Sequence, residues 1–339
     1  MTATATTFSS LSVKRNYSNS NFSSANLKEA IFNCADLSNV VFTSSILYDA
    51  YFISAVLSGV DFSGADVRHV DFSDTTQYGF TASQLYSTQT YAQGDLQNMS
   101  FQGNLMSDWN FSSKDLTRTD FSFSSLVNSD LRNATLTNSI FYSTVLSGVD
   151  FRGATGLSFS NCTTTNTILA DGSISGGSLN LSGSDSLFIV RPSDTSAVKV
   201  TASGGVTDGA SLVFRDISSS SNNAEILVSG NNVELNLSQA SIEVYFSEDF
   251  APTESIFITL AESSDGATIV VSGLDKSNVK LFNFDGTPFE GSWDLSASEN
   301  SVELSVYIPE SAMWSILPLS ILLCVITLSG VFKTFFREE

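Results

Sequence analysis

From Phe22 to Phe72 a large apolar residue recurs at every fifth position: Phe22, Leu27, Phe32, Leu37, Phe42, Leu47, Phe52, Leu57, Phe62, Val67 and Phe72. A small residue usually stands two positions earlier, as Ser20, Ala25, Ala30, Ala35 and Ala50 do. A period of five fits neither common element. On an α-helix each step of five turns by about 500°, which winds the large residues around the whole surface. On a flat strand an odd period sends successive large residues to opposite faces. The pattern predicts a chain that turns a corner once per five residues. Bulky side chains then always point inward, and the backbone coils into a four-sided tube.

After a break the pattern resumes with Leu96, Phe101, Met106, Phe111, Leu116, Phe121, Leu126, Leu131, Leu136, Phe141, Leu146 and Phe151. Phe72 and Leu96 are 24 positions apart, so the second block is one residue out of phase and an insert separates two stacks. Within the insert, Thr81-Ala82-Ser83-Gln84 reads as a capping box for a short helix over 82–87. This helix is either a binding protrusion or a plug over a coil edge that otherwise exposes unpaired backbone.

The triplets Ala25-Asn26-Leu27, Ala35-Asp36-Leu37, Val60-Asp61-Phe62, Ala65-Asp66-Val67 and Val149-Asp150-Phe151 resemble the pentapeptide-repeat family. Its pattern is a small residue, Asp or Asn, Leu or Phe, then two variable positions. The resemblance covers residues 17–155 and implies a right-handed quadrilateral β-helix with four repeats per coil. Residues twenty apart then stack. Phe22, Phe42 and Phe62 form one column, and Phe32, Phe52 and Phe72 the opposite one. The stretch 84–96 also looks like an insert found in exported members of that family. Some members that mimic DNA engage topoisomerases, which needs negative charge concentrated along the rod.

After Gly153 the rhythm fails. Residues 156–307 read as short strands between Gly, Asn, Asp and Ser turns, which predicts an antiparallel β-sandwich. Candidate strands are 187–190, 224–228, 256–260, 279–284 and 301–307. Strand order resembles the sandwich that follows pentapeptide repeats in some exported bacterial proteins. The whole is then an all-β chain with an irregular segment over 1–16, a repeat domain, a sandwich and a tail over 308–339.

The tail carries its own signal. Residues 312–332 hold no charge and would extend about 31 Å as a helix, enough for a bilayer core. Lys333 and Arg337 follow it, which places the C-terminus in the cytoplasm and the rest outside. One C-terminal transmembrane helix and a membrane anchor are therefore expected. Pro309-Glu310, the apolar run and the basic end resemble a PEP-CTERM sorting signal, which implies processing by an exosortase-type protease. No export leader is visible at the start, so a start upstream of Met1 is expected.

Charge and composition narrow the function. The chain of 339 residues carries a net −20 and only 15% charged residues, which disfavours nucleic acid as a partner. Residues 1–156 hold 13 acids and 8 bases, whereas 157–307 hold 19 acids and 5 bases. The bases Lys28, Arg68, Lys114, Arg118, Arg132 and Arg152 fall at outward repeat positions, which weakens a DNA-mimic reading. His69 is the only histidine, and Cys34, Cys162 and Cys324 show no metal spacing. No catalytic, cofactor or metal constellation is predicted. The repeat aspartates Asp36, Asp61, Asp66, Asp71, Asp120, Asp130 and Asp150 sit where a carboxylate can bond the turning backbone, with cation binding along acidic columns as the alternative. Trp293 and Tyr307 are candidate sugar-stacking residues, although aromatics in strand patterns are more often core. The expectation is a non-enzymatic protein of the cell surface or extracellular matrix, of unspecified oligomeric state, whose partner is another protein, an extracellular polysaccharide or itself. The alternatives are a topoisomerase-binding DNA mimic and a carbohydrate-binding surface protein.

Overall fold

The computed structural model describes residues 15–190, 197–218, 225–248, 250 and 256–307. From residue 16 onward, one residue in each unit of five bridges in parallel to the residue twenty further on, as Asn21 does to Val41 and Val41 to Asp61. The Phe22 N–H donates to the Val41 carbonyl at 2.7 Å, and the Val41 N–H donates back to Ser20 at 3.0 Å. Each side ends in a turn. The Ala25 N–H donates to the Phe22 carbonyl at 3.0 Å, and Ser24 between them has φ 56. A left-handed third residue is the mark of a type II turn. Four such corners close a coil.

The inward residues fill the tube. Leu27 to Phe72 and Leu96 to Phe151 of the five-residue series are buried, while Phe22 in the first coil is half-buried. Along one column Phe22, Phe42 and Phe62 stack with centroids 5.6 and 5.5 Å apart. Along the opposite column the Phe32, Phe52 and Phe72 spacings are 5.1 and 5.3 Å. Rings of the two columns meet edge to face across the axis, as Phe42 and Phe52 do at 5.9 Å and 87°. Each such pair adds about 0.5–1.5 kcal/mol beyond burial.

The insert takes the place of most of one coil. It comprises a short 3-10 turn Thr76–Tyr78 and the helices α1 (Ala82–Tyr86) and α2 (Gln89–Gln93). Its backbone pairs with the coil below: Leu57 donates to Tyr78, Gly64 to Ser87, and Gln89 to Ala65. Phe80 stacks on Phe72 at 4.5 Å and continues the column. The Asp71–Ser100 bridge and the Phe72–Phe101 contact at 6.3 Å carry the stack past the insert at one corner. Thr81 and Gln84 form a reciprocal capping box at the start of α1.

Beyond the rod the ladder continues through the bridges Val145–Thr163 and Asp150–Ile168. The region over 178–307 is not the expected antiparallel sandwich. Two parallel sheets and one mixed sheet form the sides of a second solenoid. One runs β1 (Ser178–Leu181), β4 (Ala202–Val206), β7 (Glu234–Asn236), β10 (Thr268–Val270). The second runs β2 (Ser186–Val190), β5 (Ser211–Ile217), β8 (Ser241–Phe246), β11 (Val279–Phe282). The third starts with β3 (Val198–Val200), β6 (Ile226–Ser229) and β9 (Ile256–Ser264), and ends with an antiparallel hairpin of β13 (Ser301–Tyr307) and β12 (Ser292–Ala297). Alternate residues such as Leu212, Phe214, Ile242 and Val244 point to a shared interior separate from that of the rod. The expected strands exist in outline, but nearly all of their partners are one coil away rather than one hairpin away.

The expected transmembrane helix over 312–332, the sorting motif Pro309-Glu310 and the basic pair Lys333 and Arg337 lie outside the described residues. Among the described residues no helix is long and apolar enough to cross a membrane.

Candidate interaction surfaces

Because the interior takes the large side chains, the chemistry of the molecule lies on its outward positions. The residue before each inward one bonds its own turn. Asp36 and Asp71 each accept from the N–H and hydroxyl of the serine two residues on, and Asp61 accepts the Ser63 N–H at 2.9 Å. These bonds from Ser63 hold the Asp61 carboxyl below its usual range. Asp66 is held down by Arg68, whose guanidinium donates to both of its carboxylate oxygens at 2.9 and 2.7 Å. The repeat aspartates thus serve the turning backbone. Asn110 does the same, accepting from the Ser112 N–H at 2.8 Å.

Two of the bases expected on the surface are buried. Arg132 is 6% and Arg152 1% exposed. Arg132 forks onto Asp130, and Arg152 onto Asp150, with the shortest contacts at 2.7 Å. Arg132 also reaches Asp150 at 4.0 Å, so the four form one ionic ladder. Burial works to lower the Arg132 pKa, yet its bonds to Asp130 and the charges of Asp150 and Asp216 raise it. Asp216 belongs to β5, so a carboxylate of the second solenoid also acts on Arg132.

Near Leu105 the rod surface turns apolar. Leu105, Ser125 and Val145 form one outward row, and Ile140 lies on the adjoining side. Phe123 occupies the corner between them at φ 60 and meets Tyr142 edge to face at 5.6 Å. Leu105 is 68%, Phe123 63%, Ile140 48% and Tyr142 47% exposed. By the insert, Tyr91 packs against Tyr86 at 4.5 Å, and the Lys114 ammonium lies 4.1 Å from the Tyr91 ring centre. Burial pushes the Tyr91 pKa up and the Lys114 pKa down.

On the second solenoid, Trp293 and Tyr307 do not share a surface. Trp293 pairs with Val306 and packs half-buried on the interior, whereas Tyr307 pairs with Ser292 and is exposed. The outward side of the β2–β5–β8–β11 sheet carries a different array. Arg215 lies over Phe188 at 4.2 Å and 5.6 Å from the Tyr245 ring centre, and Tyr245 stacks on Phe282 at 4.6 Å. Where this sheet meets the rod, a groove of about 460 Å³ opens. Its lining includes the rod corners Asp108 and Asn128, Asn166, and Ser184, Asp185 and Phe188 of the second solenoid.

His69 bonds Asp49 at 3.2 Å and Asn98 at 3.4 Å and joins the corners of three coils. Cys34 is an exposed corner and Cys162 is half-buried at the end of the rod. Among the described residues no three potential metal ligands gather.

Residues 20–59, 35–74 and 115–153 match the family model for pentapeptide repeats, which counts eight copies. The rod is a pentapeptide-repeat array. Among solved structures, the chain is similar to HetL, a pentapeptide repeat protein involved in heterocyst differentiation regulation from the cyanobacterium Nostoc sp. strain PCC 7120. That match has 19% identity and a TM-score of 0.27, covering 47% of this chain and 70% of HetL. It is also similar to QnrB1, a plasmid-mediated fluoroquinolone resistance protein. Here identity is 16% and the TM-score 0.19, covering 72% of this chain and 87% of QnrB1. No curated protein matches the chain.

Proposed function

We propose that this pentapeptide-repeat chain is a non-enzymatic interaction protein of the cell surface or extracellular matrix. The observation that carries the reading is the apolar corner made by Leu105, Phe123, Ile140 and Tyr142, the four most exposed large apolar side chains among the described residues of the rod. An exposed apolar cluster rimmed by polar residues is the usual form of a docking surface. The location rests on the sequence of the tail, where Pro309-Glu310 would be the processing point for an exosortase-type protease. The partner is another protein, an extracellular polysaccharide or a second copy.

A DNA-mimic role gains nothing from the rod's arginine-paired aspartates. Asp66, Asp130 and Asp150 are each paired with an arginine at 2.7 Å, so a phosphate-like column of free carboxylates is not formed there.

The reading is tested by placing a photo-crosslinking residue at Phe123 or, as control, at Ser63, and fractionating the cells. Crosslinked species in the surface or matrix fraction from position 123 alone are expected. Equal products from both positions, or protein confined to the cytosol, would overturn it.

A further inference from the structure

The junction groove is built differently from the apolar corner. Its rod wall is a column of turn residues. Asp108, Asn128, Gly148 and Asn166 all lie in the left-handed region, with φ 64, 58, 70 and 54. The Asn128 side chain lies flat over the next coil, since a Cβ at Gly148 would come within 2.2 Å of its Oδ1. Asn166 is buried and fixes the opposite wall. Its amide donates to the Asn180 carbonyl, and its Oδ1 accepts the Asn180 N–H at 2.8 Å. The loop that follows presents Ser184 and Asp185, and β2 presents Phe188. Arg215 covers part of the Phe188 ring at 4.2 Å, which holds that ring in place while it lines the groove.

Three properties define the occupant. Beside the apolar Val127, Leu181 and Phe188, the lining carries hydroxyls and amides that donate and accept and carboxylates that accept, so a wholly apolar ligand would leave these groups unpaired. Its described charges are the carboxylates of Asp108 and Asp185, with no cation in the lining. The nearby Arg215 is turned onto the Phe188 ring, so the two carboxylates disfavour an anionic polymer. The groove is open rather than enclosed and includes an aromatic ring, which suits one segment of a longer chain that has an apolar C–H face and a rim of hydroxyls. We infer that the junction groove binds a neutral oligosaccharide segment, with Phe188 against a sugar face and Asp108, Asn128 and Asp185 bonding its hydroxyls. This deepens the surface-protein reading. It rests on that reading only for where such chains would be met, not for binding by the purified protein.

Affinity electrophoresis of the full chain tests it, in native gels containing a neutral glucan, a galactomannan, anionic alginate or cationic chitosan. Retardation by at least one neutral polymer and none by alginate is expected. Phe188→Ala should weaken that retardation at least tenfold and Asp185→Ala several-fold. Phe123→Ala, on the rod's apolar corner, should leave it unchanged. Circular dichroism checks that Phe188→Ala folds; if it does not, Asp185→Ala and Asp108→Asn decide. No retardation in any neutral gel, equal retardation of wild type and the groove variants, or retardation in chitosan alone would each overturn the site. A protein that fails the cell-fractionation test can still pass this one, and the converse holds.

Discussion

The corner position shows how much a single residue is asked to do. It recurs with φ near 55–60 at Ser24, Glu29, Cys34, Asn39, Ser44, Asp49 and onward. Among the described residues, not one of the non-glycine left-handed positions is Val, Ile or Thr. Branching at Cβ makes that conformation severe, so the selection is steric even though the position is variable in chemistry. Ser44→Val, at an exposed corner, should cost about 1–2 kcal/mol relative to Ser44→Gly, on the scale of the left-handed penalty. Urea unfolding of the two variants measures the difference. Asp66 supports the same backbone by another route, since Arg68 holds its carboxyl below the usual range. A depressed carboxylate stabilises the fold above its unfolded pKa, about 3.9. That contribution is lost as pH falls through the lower folded value. The stability gap between wild type and Asp66→Asn should therefore be widest near neutrality and close below that folded value. Thermal melts taken across the acid range read the sign directly.

At the level of elements, the rod was legible because its period stays at five on both sides of one insert, and the second solenoid was not because its period drifts. Ser186 lies beside Ser211, Ser211 beside Ser241, and Ile242 beside Val279, so the step lengthens from 25 to 30 to 37 residues. No fixed repeat survives in the sequence. The inward–outward alternation of β8 or β13 reads the same whether the neighbour is parallel or antiparallel. Strand positions were thus visible in outline, while pairing was hidden. The junction groove was hidden for the same reason, because Asp108, Asn128 and Phe188 meet only through coil stacking. Two elements give sharp tests. Gln84 in α1 donates to the Leu57 and Val60 carbonyls at 2.7 and 3.0 Å while its Oε1 accepts the Thr81 N–H at 2.9 Å. Gln84→Ala should cost about 1–3 kcal/mol by stranding these groups, read by chemical denaturation. In β4 a Cβ at Gly204 would stand 2.2 Å from the Leu179 carbonyl oxygen on the neighbouring strand β1. Backbone cannot yield as a side-chain tip does, so Gly204→Ala should open the β1–β4 pairing, seen as faster hydrogen exchange there than in the rod.

For the whole molecule the decisive feature is one backbone ladder laid over two separate cores. The rod's cluster runs from Leu27 to Ala154, and the second begins with Ile168. The bridges Val145–Thr163 and Asp150–Ile168 join them through backbone, and the Arg132 ladder through charge. In a stack of repeats, stability is approximately a sum of unit and nearest-neighbour terms, so a lesion is felt locally and fades with distance. Hydrogen bonds across the joint transmit little compared with a shared apolar interior. Two cores so arranged should melt as two units, and calorimetry of the full chain should resolve two transitions. Phe52→Ala removes a fully buried ring that stacks with Phe32 and Phe72. Its cost should be about 3–5 kcal/mol, and it should fall on one transition only. Phe214→Ala, in the second core, should shift the other. If either variant moves both transitions equally, the joint carries far more coupling than its backbone bridges and the Arg132 ladder can supply. The two solenoids would then have to be treated as one cooperative unit.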